Sequence, residues 1–68
     1  MRQVILYKDE NGNWIVECPN LNGCVSQGKT KQEALTNIKE AIAGYTAALE
    51  EDGLMVPSDT FKTYLVVI

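Results

Sequence analysis

Two cysteines six positions apart, Cys18 and Cys24, and the carboxylates Asp9, Glu10 and Glu17 upstream of them are the side chains whose types suit metal or nucleophile chemistry. The chain has no histidine, so the commonest general base is missing and neither a Ser–His nor a Cys–His pair can be assembled. Ser26 has no evident activator. A zinc site would need four ligands drawn from two thiolates and scattered carboxylates, and none is expected. Asp9, Glu10 and Glu17 can be imagined as the metal-binding acids of a nuclease, but Asp9 and Glu10 fall in Asp9-Glu10-Asn11-Gly12-Asn13, where acids are ordinary turn residues. No basic group flanks either cysteine to lower its pKa, so both read as small buried hydrophobes. A disulfide closing the short segment between them is the other reading, set against a start at Met1 that shows no secretory leader and implies a reducing compartment. Gly12, Gly23 and Gly28 form no phosphate-cradling pattern. The expectation is a binding protein, not an enzyme, with no catalytic residue, cofactor or metal.

The elements that would carry these residues must fit into 68 residues. That is room for one domain, 1–68, and a chain this short buries only about 60% of the surface it exposes when unfolded. A core of this size supplies roughly 3–5 kcal/mol, which is why such domains lean on disulfides, metals or partner subunits. With the first two set aside, self-association or a permanent partner remains. Six basic against nine acidic residues give a net charge of −3, the wrong sign for tracking phosphates and the right one for a basic partner. No apolar run approaches the ~20 residues of a membrane span, and a cytoplasmic location is expected.

Gln3 to Lys8 and Trp14 to Cys18 read as strands, joined through Asn11-Gly12 in a hairpin expected to use a type I′ turn. Pro19 to Gly23 must leave the sheet, with Leu21 pinning the loop to the core, and Cys24 to Gln27 reads as a third strand ending at Gly28. Thr30 and Glu33 make a capping box, so a helix starts at Lys31. Ala34, Leu35, Ile38, Ala41, Ile42, Tyr45, Ala48 and Leu49 share one helical face, with Thr36, Glu40, Ala43, Ala47 and Glu50 opposite. The helix stops near Asp52, with Gly53 at C′ and Pro57 beyond. Thr60 to Ile68, rich in β-branched and aromatic residues, reads as a fourth strand, parallel to the first at a sheet edge, and Trp14 and Leu35 are expected in one core. The fold class is α+β: β-β-β-α-β, a mixed four-stranded sheet with one helix on one face.

The run Glu17-Cys18-Pro19-Asn20-Leu21-Asn22-Gly23-Cys24-Val25-Ser26-Gln27-Gly28, continued by Thr30, Glu33-Ala34, Asn37-Ile38 and Glu40-Ala41-Ile42, resembles the HicB family of antitoxins over roughly residues 1 to 57. Asn22 stands where proline is often found. The resemblance implies a partial RNase H-like fold without the catalytic acids of true RNase H enzymes. It also implies a partner, because HicB-like proteins neutralise HicA toxins, small basic RNA-cleaving proteins. Many family members carry an appended DNA-binding segment, none is expected in this chain, and no direct nucleic-acid binding is expected. The alternative is a stand-alone HicB-like homo-oligomeric regulatory or ligand-binding domain without a toxin.

Two surfaces are expected to meet partners. A basic toxin is best blocked by carboxylates lying where RNA would lie, which nominates Glu50, Glu51 and Asp52 at the helix end ahead of Asp9 and Glu10 at the hairpin tip. Strand alternation puts Ile5 and Tyr7 on the sheet face the helix leaves bare, and Tyr64, Val66 and Ile68 on one face of the last segment. These five are the expected interface of a homodimer or higher oligomer.

Overall fold

A computed structural model describes residues 2–58, 64 and 66–68. The elements run β1 (Ile5–Lys8), β2 (Trp14–Glu17), β3 (Val25–Gly28) and α1 (Lys31–Glu51). The three strands form one antiparallel meander in the order β1-β2-β3, so β2 is central and both β1 and β3 are edges.

The register explains which side chains are buried. Leu6 faces Val16 and Val16 faces Ser26, while Tyr7 faces Ile15 and Ile15 faces Gln27. Successive residues point to opposite faces. Val4, Leu6, Trp14 and Val16 therefore lie on the helix side, and Ile5, Tyr7, Ile15 and Val25 on the other. The core is Val16, Cys18, Leu21, Cys24, Ala34 and Ile38, with Val4, Leu6, Trp14, Leu35, Ala41, Ile42 and Tyr45 half-buried against it.

The hairpin turn differs from the expected type. Gly12 has φ +83°, but among the described residues no non-glycine has positive φ, so Asn11 does not take the conformation a type I′ turn demands. Instead the Asp9 N–H donates to Asn13 O at 2.8 Å and the Gly12 N–H to Asp9 O at 3.2 Å. That arrangement is a three-residue loop whose last residue is left-handed, for which one glycine suffices. The Asp9 carboxylate replaces the missing turn geometry by accepting from the N–H groups of Asn11 and Asn13 at 3.0 and 2.9 Å.

Thr30 caps α1, its Oγ1 accepting from the Glu33 N–H at 3.1 Å, but among the described residues the Glu33 carboxylate does not return the bond, so only half of the expected capping box forms. At the other end Leu54 N–H donates to Leu49 O and Gly53 N–H to Glu50 O, with Gly53 at φ +69°, the paired bonds of a Schellman stop. The apolar stripe is not uniformly covered. Ala34 and Ile38 are buried, Leu35, Ala41, Ile42, Tyr45 and Leu49 half-buried, and Ala48 exposed. The cause is length: 21 residues of helix span about 31 Å, whereas a four-residue strand spans about 13 Å.

The fourth strand is a correction. Tyr64, Val66, Val67 and Ile68 form no strand and are exposed, and the sheet has three strands, all antiparallel, where a mixed four-stranded one was expected. Residues 59–63 and 65 of that expectation lie outside the described residues. A β-branched composition supplies propensity only, and a strand exists through its ladder partner, which Tyr64 and Val66 to Ile68 lack. Beyond α1, Ser58 meets the β2–β3 loop through Asn20, whose side-chain amide donates to Ser58 O.

Candidate functional site

Charge separates along α1. Its last turn contains no basic residue, and Glu50, Glu51 and Asp52 are all exposed there. Among the described residues none of the three carboxylates has a cation or a donor on it. They sit where the helix macrodipole is itself negative, so neither the local field nor a neighbour among the described residues compensates them. At the opposite end of the domain Lys31, in the first turn of α1, and Lys8, at the end of β1, place their ammonium groups 5.0 and 5.7 Å from the centroid of the Trp14 ring. Sequence reasoning took Trp14 as a plain core aromatic. The pairing of Lys8 with Trp14 across the hairpin was the signal that would have found one of these cations.

The two acidic candidates are not equivalent in structure. Glu10 is exposed, but the Asp9 carboxylate is already engaged by two backbone N–H groups of its own turn. The hairpin acids are thus first of all turn residues, and the helix end is the more available carboxylate cluster.

The proposed contact residues for self-association fall in two places. Ile5, half-buried, and Tyr7, exposed, lie on the sheet face away from α1, next to Ile15 and the 55% exposed Val25. Tyr64, Val66 and Ile68 are exposed beyond α1 and share no element with them.

A third feature went unread in the sequence. An apolar groove of about 330 Å³ runs between the start of β1 and the middle of α1, lined by Arg2, Val4, Leu35, Ile38, Lys39 and Ile42. Nη1 of Arg2 is buried there with no hydrogen-bond partner.

The loop carrying the sequence motif is built by its backbone. The Cys18 N–H donates to Cys24 O at 2.9 Å, the Leu21 N–H to Cys18 O at 3.1 Å, and the Cys24 N–H to Leu21 O at 3.0 Å. Gly23 takes φ +77° to close the second turn, and Leu21 is 1% exposed, pinned to the core as its position suggested. Both cysteines are free and buried. Burial, with the Cys18 thiol beside it, pushes the Cys24 thiol above its ordinary range against the opposing pull of Arg2. Among the described residues no three His, Cys, Asp or Glu side chains cluster as metal ligands, and no helix is long and apolar enough to cross a membrane.

These motifs are shared with known proteins. A UPF0150 protein of Thermoplasma acidophilum is 52% identical over 63 residues, covering 93% of this chain and 91% of its own. Another from Helicobacter pylori is 56% identical over 50 residues, covering 74% and 68%. Among solved structures, the N-terminal domain of Burkholderia pseudomallei antitoxin HicB superposes with a TM-score of 0.76 at 33% identity, over 88% of this chain and 69% of that one. The family model for the HicB_like antitoxin of bacterial toxin-antitoxin systems matches residues 3–65. A chain with that match, that fold and the Cys-Pro-x-Leu-x-Gly-Cys loop folded as described belongs to the HicB-like antitoxin family.

Proposed function

We propose that this chain neutralises a HicA-type RNA-cleaving toxin by protein–protein contact, with Glu50, Glu51 and Asp52 facing the toxin's phosphate-binding surface. Family membership supports a toxin as partner. The observation that carries the choice of surface is the exposed acidic end of α1, whose last turn holds no basic residue and whose carboxylates meet no cation among the described residues. A surface evolved to hold RNA is basic, and carboxylates presented to it accelerate encounter and exclude the nucleic acid. The role is non-enzymatic and needs no direct nucleic-acid contact by this domain.

The test is the triple variant Glu50→Gln, Glu51→Gln, Asp52→Asn, co-expressed with the cognate toxin and assayed for growth rescue and for association rate against salt. Association slows most at low ionic strength, where the Debye length exceeds ~10 Å, and the difference from the parent shrinks as salt rises. A triple variant that binds and protects like the parent, while loss of Asp9 and Glu10 abolishes protection, moves the site to the hairpin.

A second reading, self-association, is favoured by the apolar residues left in solvent. Tyr7 on the bare sheet face, beside the half-buried Ile5, and Tyr64, Val66 and Ile68 beyond the helix leave large apolar side chains in solvent, the kind of surface that pairing would cover. Homo-oligomers built through them would present several toxin-facing helix ends at once. Sedimentation at tens of micromolar decides it, and a 7.5 kDa species there rejects the interface.

A further inference from the structure

The two cysteines of the motif loop stand directly opposite one another. β2 and β3 pair with Glu17 against Val25, and the next step along both strands brings Cys18 against Cys24, joined by the 2.9 Å bond from the Cys18 N–H to Cys24 O. Opposed residues of an antiparallel pair project to the same face, and both side chains are buried in the core beneath α1. Opposed residues of an antiparallel pair have Cα atoms about 4.5–5.5 Å apart. That lies inside the ~4.4–6.8 Å window over which a disulfide forms without backbone movement.

We propose that Cys18 and Cys24 are a reversible redox pair that a low-molecular-weight disulfide converts to an intramolecular disulfide, locking the end of the β2–β3 ladder and its loop. In the first step one cysteine thiolate attacks a sulfur of the oxidant, forming a mixed disulfide and expelling a thiolate that takes up a proton. The second cysteine, having lost its proton, attacks the mixed disulfide at the protein sulfur. The Cys18 Sγ–Cys24 Sγ bond forms and a second small thiol leaves, so two electrons and two protons pass to the oxidant. Burial of both thiols, with the Cys24 thiol also pushed up, makes the resting pair slow to react, which sets the trigger. Reaction waits on opening of the loop 19–23, whose Pro19, Asn22 and Gly23 are exposed and which Leu21 and two turn bonds hold down. The closed bond would hold Leu21 and the loop in place whether or not α1 is engaged by a partner.

The experiment incubates the purified full chain in oxidised and reduced glutathione at graded ratios, quenches with acid, and reads intact mass and thiol alkylation. The expected product has monomer mass less two hydrogens, resists alkylation at both cysteines, and unfolds about 10 °C higher by circular dichroism. Dithiothreitol returns it to the starting state. Cys18→Ser and Cys24→Ser each stop at the glutathione adduct. The proposal is overturned if the native wild-type chain stops at the adduct, forms only intermolecular dimers, stays reduced at the most oxidising ratio, or yields an internal disulfide that lowers the unfolding temperature.

Discussion

Replacing Gly28 by alanine isolates one contact on which the fold depends. Gly28 is the last residue of β3, is buried, and does not have the positive φ that marks Gly12, Gly23 and Gly53, so its backbone would accept a side chain in open space. The space is closed. A Cβ built there lies 2.5 Å from Ala34 N and 2.9 Å from both the carbonyl carbon and the Cβ of Glu33. Two of these three atoms are main chain in the first turn of α1. They cannot swing aside, and restoring van der Waals contact needs the helix start to retreat by roughly an ångström. The next turn of the helix is also tied to β3 by the Asn37 side-chain amide, which donates to Gln27 O at 2.7 Å. Forced overpacking of this kind costs about 1–3 kcal/mol. Set against the ~3–5 kcal/mol that a single small core supplies, the variant loses a large part of its stability. At about 4–8 °C per kcal/mol the thermal midpoint falls by roughly 4–24 °C. Two controls separate steric closure from backbone preference. Gly12→Ala meets nothing within 4 Å but must hold φ +83°, and loses about 1–2 kcal/mol. Gly44→Ala, in mid-helix and also free of contacts, gains about 0.5–1 kcal/mol. Circular dichroism melts of the three variants provide the assay. A Gly28→Ala midpoint at or above that of the parent chain would refute the claim that the helix rests on this glycine.

Three further outcomes are expected. Thr30→Ala removes the side-chain acceptor for the Glu33 N–H and lowers urea-unfolding stability by about 1 kcal/mol, whereas Thr30→Ser keeps most of it. Ile38→Ala, at a fully buried site in the middle of the core, costs about 2–5 kcal/mol and leaves the isolated chain largely unfolded at 37 °C by circular dichroism. Because the Cys24 thiol is raised in the folded state, the unfolded chain releases its proton first. Stability from this group is complete below about pH 8.5 and declines as pH rises from there toward the folded value, and Cys24→Ala flattens that decline in unfolding free energy against pH.

Much of this fold was legible because its signals are local. The Thr30 cap, the Gly53 stop and the turn at Gly12 each depend on a few adjacent residues satisfying their own backbone groups, and each stands where the sequence places it. The turn type escaped because the Asp9 carboxylate supplies two acceptors that a reading of Asn-Gly alone does not contain. The fourth strand escaped for the opposite reason. Val66, Val67 and Ile68 carry strong strand propensity, but pairing is a property of two segments, and no residue in that run specifies a partner. The groove by Arg2 and Lys39 was invisible because its walls come from residues more than thirty positions apart. The acidic cluster was legible as a cluster, while its freedom from compensation depends on where the helix ends relative to the sheet.

That relation bears on why the acids are where they are. The first two turns of α1 do the packing, since Ala34 and Ile38 are its buried residues and Gly28 lets the helix approach β3 closely. Continuing the helix past Tyr45 adds exposed alanines at 47 and 48 and a last turn with three acids and no base. Folding alone would favour the reverse, a shorter helix or a lysine in the final turn to answer the dipole. A domain with a small core that extends a helix beyond its sheet and loads the end against its own dipole violates local preference at one place, and such violations concentrate at functional sites. If the extension served stability, neutralising Glu50, Glu51 and Asp52 would lower the melting temperature. If it serves a basic partner, the same change leaves the melting temperature equal or higher and removes binding, so one set of variants distinguishes the two by the opposite signs of their effects on folding.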